Sequence, residues 1–268
     1  MTNPHLASDA VRQAALIIAA ARTSLTPLPA LPQQTIPKTI EDGYRIQSEV
    51  HRLLLPHLGP LVGYKIGCTS EVMQQYLAIP HPCAGGLHAR AAHGSGVVLN
   101  AAASVRVGVE CEIAVRLGKD LVPAGAPFTS DSVAQSIDCY LPAIEIVDDR
   151  YVDWATLGAP TLIADDFFAA GIVLGRPLAR SAMADLVGVQ GRTLVNGQET
   201  GRGTGADVLG HPHNALAWLA NHLASQGTAL RAGEIVMTGS LVKTVWLEAG
   251  DQATMEFSGL GNVQVTFV

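Results

Sequence analysis

No two cysteines of this chain stand at C-x-x-C spacing. Cys68, Cys83, Cys111 and Cys139 are scattered, which argues against a zinc knuckle or a disulfide scaffold and points to reduced thiols in a cytoplasmic protein. A cluster of lysines or arginines is missing too. The formal charge of -6 comes from dispersed acids, so neither nucleic acid nor an anionic membrane is an expected partner, and small-molecule chemistry fits better. Charged residues make up only 15% against 48% apolar, a balance that excludes a disordered chain and suits a compact protein that also buries subunit interfaces. Long hydrophobic runs are absent. Residues 14–21 are too few to span a bilayer, and Asp9 stands where a secretory leader needs basic residues, so no targeting segment is expected. No repeat at a solenoid period is visible.

What is present divides in two. From Pro4 to Arg22 the residues Val11, Ala15, Ile18 and Ala21 recur at helical spacing and predict an amphipathic helix. Pro27, Pro29, Pro32 and Pro37 then impose a connector. A second helix is predicted from Thr39, as N-cap, through Ile46, Val50 and Leu53 as far as Pro56. Residues 1–58 are therefore expected to form a helical extension, and residues 59–268 a catalytic domain made mostly of sheet. Strands are predicted over 61–66, 105–117, 143–147, 168–174, 191–195, 234–238 and 253–257. Helices are expected at 130–140 and at 214–225, the latter capped by Asn214. This irregular order speaks for an α+β fold and against a βαβ barrel or a doubly wound sheet.

Within the strand 105–117, Val109, Cys111, Ile113 and Val115 alternate to one face, which turns Glu110 and Glu112 together to the other. Two carboxylates at i and i+2 lie about 6 to 7 Å apart and repel one another unless a cation joins them. Glu145 sits in another apolar strand, where a carboxylate needs a partner. Three carboxylates describe a magnesium or manganese site, since zinc usually recruits histidine or cysteine. The alternative is a solvated sheet face, with Glu145 paired to an arginine such as Arg106 or Arg150. Spacing alone leaves both open.

The wording around these acids resembles the hydratase and decarboxylase group of the fumarylacetoacetate hydrolase superfamily, the group of 2-keto-4-pentenoate hydratase and 4-oxalocrotonate decarboxylase. The resemblance runs from about residue 40 to the end and rests on Gly63-Tyr64-Lys65-Ile66-Gly67-Cys68-Thr69-Ser70, the E-x-E strand, Leu141-Pro142-Ala143-Ile144-Glu145, Gly201-Arg202-Gly203, Leu209-Gly210-His211-Pro212-His213-Asn214-Ala215, and Thr238-Gly239-Ser240. It implies a mixed β-roll with an N-terminal helical extension, homo-oligomeric assembly, and Mg2+ or Mn2+ held by Glu110, Glu112 and Glu145. It also implies a metal acting as Lewis acid on a small 2-oxo acid of aromatic catabolism, stabilising an enolate that serves either hydration or decarboxylation. Lys65 falls at the family's active-site lysine, where a nearby metal and partial burial are expected to lower its pKa and fit it for proton transfer. Gly63 and Gly67 are compatible with close backbone approach to a ligand.

Two departures bear on the reaction. The family's hydratases tend to carry an acid where this chain reads His81-Pro82-Cys83, and Ala-Asp-Asn-Ala-Ser where it reads Ala164-Asp165-Asp166-Phe167-Phe168. His81 and Cys83 are the candidates to stand in for the acid, while Phe168 replaces the serine. Arg202 is a candidate binder of a substrate carboxylate, in a segment 201–205 expected to be a turn. Thr238 and Ser240 are candidates to face substrate. A metal-dependent lyase is the leading reading; the rivals are a carbon-carbon hydrolase or oxaloacetate tautomerase-like enzyme of the same superfamily, and a non-catalytic subunit of a partner enzyme.

Overall fold

The protein is described by a computed structural model covering residues 5–183 and 185–268. Six helices appear among the described residues: α1 (Ser8–Ser24), α2 (Ile40–Leu58), α3 (Glu71–Tyr76), α4 (Ser130–Ala134), α5 (Ala159–Ala164) and α6 (Pro212–Ser225). The strands are β1 (Leu61–Gly67), β2 (Cys83–His88), β3 (Ala92–Gly94), β4 (Val97–Leu99), β5 (Val107–Leu117), β6 (Ile137–Asp148), β7 (Ala169–Leu174), β8 (Leu178–Ala179), β9 (Gln190–Val195), β10 (Gln198–Thr204), β11 (Ile235–Ser240), β12 (Val245–Trp246), β13 (Gln252–Phe257) and β14 (Gly261–Phe267). They form two mixed sheets and no closed barrel. The larger runs β2-β1-β11-β5-β6-β7-β3, with β12 on β5 and β8 on β6; the smaller runs β10-β9-β13-β14-β4. The alternation in β5 holds: Val109, Cys111, Ile113 and Val115 are buried in one core with Met255, Phe257 and Val265 of the smaller sheet. Glu110 and Glu112 are thereby turned to the opposite face.

A second core joins α1 and α2 to Leu162 and Ile163 of α5 and to Tyr151 and Phe167. Thr39 caps α2 as expected, its side chain accepting the Asp42 amide. For α1, Pro4 lies outside the described residues. No described helix is long and apolar enough to cross a membrane.

Four local expectations are corrected. Helix α2 passes Pro56 and ends at Leu58, because a proline in the last turn removes only one intrahelical bond and Gly59 N–H still closes on Leu55 O. The helix expected over 130–140 stops at Ala134, and residues from Ile137 onward join β6, where pairing with β5 outweighs local propensity. Helix α6 is capped by His211, whose ring accepts the His213 amide, while the Asn214 side chain donates to Leu209 O. The segment 201–205 is not a turn: it runs in β10 as far as Thr204. Gly201 and Gly203 let that strand press on Val242 and Leu241, where an added Cβ would lie 2.4 Å from a Val242 methyl and 1.9 Å from Leu241 O.

Candidate active site and metal centre

Antiparallel pairing sets Glu110 of β5 directly opposite Glu145 of β6, with Glu112 one step along the same face. Oxygens of the three carboxylates lie within 4.8 Å of one another. A bulge in β11 completes the arrangement, since the register with β5 slips between Met237 and Ser240. The slip frees Gly239 N–H from the ladder to donate to Glu112 Oε2 at 2.9 Å. Only glycine fits there, with φ 121° and Thr69 2.6 Å from where a Cβ would stand. The Thr244 hydroxyl donates to Glu110 Oε1. Lys65 of β1 reaches the cluster although β11 and β5 lie between, its Nζ 3.0 Å from Glu145 Oε1 and donating to Phe167 O at 2.8 Å.

Four titratable groups in one buried pocket cannot all keep their ordinary pKa. Burial pushes Glu112 well up, and Glu145 and Glu110 push it further. Glu145 rises to about 7, with burial the largest cause and the Lys65 ammonium opposing it. Lys65 is raised: burial, the largest influence, works against its charge, but Glu145, Glu110 and Glu112 together overcome it. That direction is opposite to the one expected from the sequence, because the carboxylates outnumber the lysine. A cation bound to them would cancel their field and leave burial to act alone. The ion pair with Lys65 lacks hydrogen-bond geometry, so neither buried oxygen of Glu145 has a hydrogen-bond donor. Orphaned carboxylate oxygens inside an all-oxygen acidic cluster fit a hard divalent cation. The alternative arginine partners are engaged elsewhere, Arg106 with Asp149 and Arg150 with Asp165.

The remaining candidates are placed more loosely. Thr238 is fully buried and donates to Ile113 O, and the Ser240 hydroxyl donates to Val242 O at 2.6 Å, so both hydroxyls hold the bulge. Cys83 is buried, its thiol pushed up first by hydrogen bonding with Cys68 and then by burial. His81 stacks on Trp218, with Nδ1 2.7 Å from Pro82 O. Phe168 packs edge-on to Tyr151, Trp154 and Phe167. Arg202 is 71% exposed and paired with Glu199. Gly63 is required by β11 rather than by a ligand, as a Cβ would stand 1.8 Å from Ile235 O.

Sequence reasoning missed the network behind Lys65. Asp166, Phe167 and Phe168 all adopt left-handed backbone, with φ of 54°, 52° and 69°. Each such residue costs about 1–3 kcal/mol and persists only where its surroundings impose it. Arg150 donates to Asp165, Phe168 O and Ala169 O; Arg22 reaches Asp166 Oδ2 at 2.9 Å and Ala169 O. His51 Nε2 lies 2.6 Å from Asp166 Oδ1, which also accepts Gly86 N–H at 2.9 Å. Burial raises the Asp166 carboxyl, but His51 and Arg22 outweigh it and hold it below the usual range. His88 stands close enough for His51, His88 and Asp166 to resemble a ligand set, but the Arg22 guanidinium already supplies positive charge there. The readable signals were the Asp165-Asp166 pair and the adjacent Gly85-Gly86.

Comparison with known proteins places the chain in a family. The family model for the fumarylacetoacetate (FAA) hydrolase C-terminal region matches residues 77–268. The chain is 36% identical over 231 residues to the 2-hydroxyhexa-2,4-dienoate hydratase of Comamonas testosteroni, covering 85% of this chain and 86% of that one. It is 33% identical to 2-keto-4-pentenoate hydratase 2 of Dechloromonas aromatica over 267 residues, 100% of both chains. The solved 4-oxalocrotonate decarboxylase from Pseudomonas putida G7, complexed with magnesium and adipate, superposes with a TM-score of 0.93 at 28% identity, covering 99% of this chain and 100% of the other.

Proposed function

Because the chain belongs to the fumarylacetoacetate hydrolase family, we propose that it is a divalent-metal-dependent lyase acting on a small unsaturated 2-oxo acid of aromatic catabolism, presented as its 2-hydroxydienoate. The observation that carries this reading is the trio Glu110, Glu112 and Glu145, the first half-buried and the others buried, in which the Glu145 oxygens have no hydrogen-bond donor. These three residues would hold the cation. Magnesium is the first choice, for its preference for oxygen donors, with manganese as the alternate.

When bound, the cation supplies a Lewis acid for the 2-oxo oxygen and the carboxylate of the substrate. The chain's own groups do the rest. Gly239 N–H and the Thr244 hydroxyl hold Glu112 and Glu110 in place. Lys65, buried beside Glu145, presents an ammonium proton to the oxygen on which negative charge develops and so helps stabilise the enolate. Burial keeps water from competing for that proton.

Decarboxylation has a specific observation in its favour as a second reading. Adding water to a remote alkene needs a polar group to orient it, and Cys83 and Phe168 are packed in apolar surroundings. Losing carbon dioxide needs only the electron sink. The deciding experiment incubates the protein with magnesium and either 2-hydroxypenta-2,4-dienoate or 4-oxalocrotonate while following dienol absorbance and carbon dioxide release. Chelator-sensitive consumption of one substrate supports the lyase reading; no turnover of either by magnesium-loaded protein sinks it.

A further inference from the structure

The left-handed turn Asp166-Phe167-Phe168 is gripped from every side. Two guanidiniums, Arg22 and Arg150, clamp its flanks. His51 and Gly86 N–H hold the Asp166 carboxylate. The strand beneath is shaped for it, because a Cβ on Gly85 would stand 2.9 Å from Asp166 O and one on Gly86 would stand 2.6 Å from the His51 ring. This turn meets Lys65 through Phe167, whose carbonyl accepts from Nζ at 2.8 Å and whose ring centroid lies 5.8 Å from it.

We propose that His51 and Asp166 are positioning residues for Lys65, the hydrogen bond between them locking the turn so that the Phe167 carbonyl is aimed at Nζ. The inference rests on the role given to Lys65 above. Its physical basis is a balance of pulls. Glu145 is 3.0 Å from Nζ, and carboxylates are the strongest attraction near the ammonium. Without a counterweight the ammonium would settle among them. The Phe167 carbonyl accepts one N–H of Nζ while Glu145 attracts the ammonium by charge, so that the ammonium is restrained and an N–H remains for substrate. A mobile loop carbonyl would follow the lysine instead of restraining it, which gives the strained, ion-paired turn its use.

The test reads Lys65 directly as well as turnover. The chain's lysines are Lys38, Lys65, Lys119 and Lys243, so selective 15N-lysine labelling gives a short spectrum in which Lys65→Arg assigns the buried ammonium. In His51→Leu, its proton exchange is expected to accelerate about tenfold and kcat to fall about tenfold, with KM and magnesium affinity retained. His51→Gln, which keeps an N–H donor for Asp166, should recover most of both. Asp166→Asn keeps the bond from Gly86 N–H while removing the charge, and should show a smaller loss of the same kind even if His51→Leu does not fold. A Lys65 resonance and kcat within about twofold of the parent in every folded variant would overturn the proposal. Inactivity of the parent enzyme on dienoates would overturn the lyase reading alone, because the lysine spectrum decides this one independently.

Discussion

Two groups of acids lie near the ends of the Lys65 contacts, one in the turn whose Phe167 carbonyl it meets and one around Glu145, and they are neutralised in opposite ways. Asp165 and Asp166 are matched within the protein by Arg150, Arg22 and His51. Glu110, Glu112 and Glu145 have one lysine among them, and both oxygens of Glu145 lack a donor. A protein that can supply cations to one group and withholds them from the next, a few residues away in space, leaves the second group short of positive charge. On the proposed reading the shortfall is where a cation would bind, while the matched group would serve as scaffold.

The sharpest way to break this contrast is to neutralise one acid from each side. Glu145→Gln is expected to lower magnesium-dependent kcat/KM by about 10³-fold or more, as the Lewis-acid contribution is lost, and isothermal titration should show the matching loss of metal affinity. In chelator-treated protein the same substitution should raise the thermal midpoint by relieving repulsion. Asp166→Ala should do the reverse, destabilising by roughly 3–5 kcal/mol in denaturant titrations because it removes a carboxylate from the Arg22 guanidinium and leaves the His51 and Gly86 donors unsatisfied. Equal signs for the two variants would dissolve the distinction.

Lys65→Met comes next, with kcat down about 10²- to 10⁴-fold and metal affinity retained, since it removes a proton donor and not a ligand. An active variant would leave the lysine a merely structural counter-ion. The acidic cluster also predicts a pH dependence. Glu145 in the folded chain sits at about 7 against an ordinary 4.5, so the folded state holds a proton that the unfolded state releases. Stability of the chelated protein is therefore fully present below 4.5 and is lost as pH rises through 7, by about 3 kcal/mol. Magnesium should abolish that slope, and at a hundredfold excess over its dissociation constant should stabilise the protein by about 2.7 kcal/mol near neutral pH. The smallest effect belongs to Arg202→Ala, expected to change kcat/KM by no more than about threefold, because its guanidinium is exposed and paired with Glu199.

The E-x-E strand was readable because a strand's period of two leaves no choice: once Val109, Cys111, Ile113 and Val115 go inward, both glutamates share the other face. The N-cap of α2, the proline connector and half of the strands follow from equally local rules. The apolar strand around Glu145 made it the third candidate and family wording added the lysine, but local pattern could not say whether Glu145 would meet an arginine or its fellow acids. That depended on the register between β5 and β6, a pairing of segments some thirty residues apart that sets Glu110 against Glu145. The same long-range pairing pulled residues 137–140 out of the expected helix. Nor does any local rule announce that Asp166, two phenylalanines and His51 form one device, since three left-handed residues are unfavourable until Arg22, Arg150 and two glycines of β2 enclose them. Sequence by itself determined which residues could carry the chemistry, through periodicity and charge. Tertiary structure decided which carboxylates are neutralised from within and which are left short of a cation, because charge balance in a buried pocket is set by groups far apart in the chain.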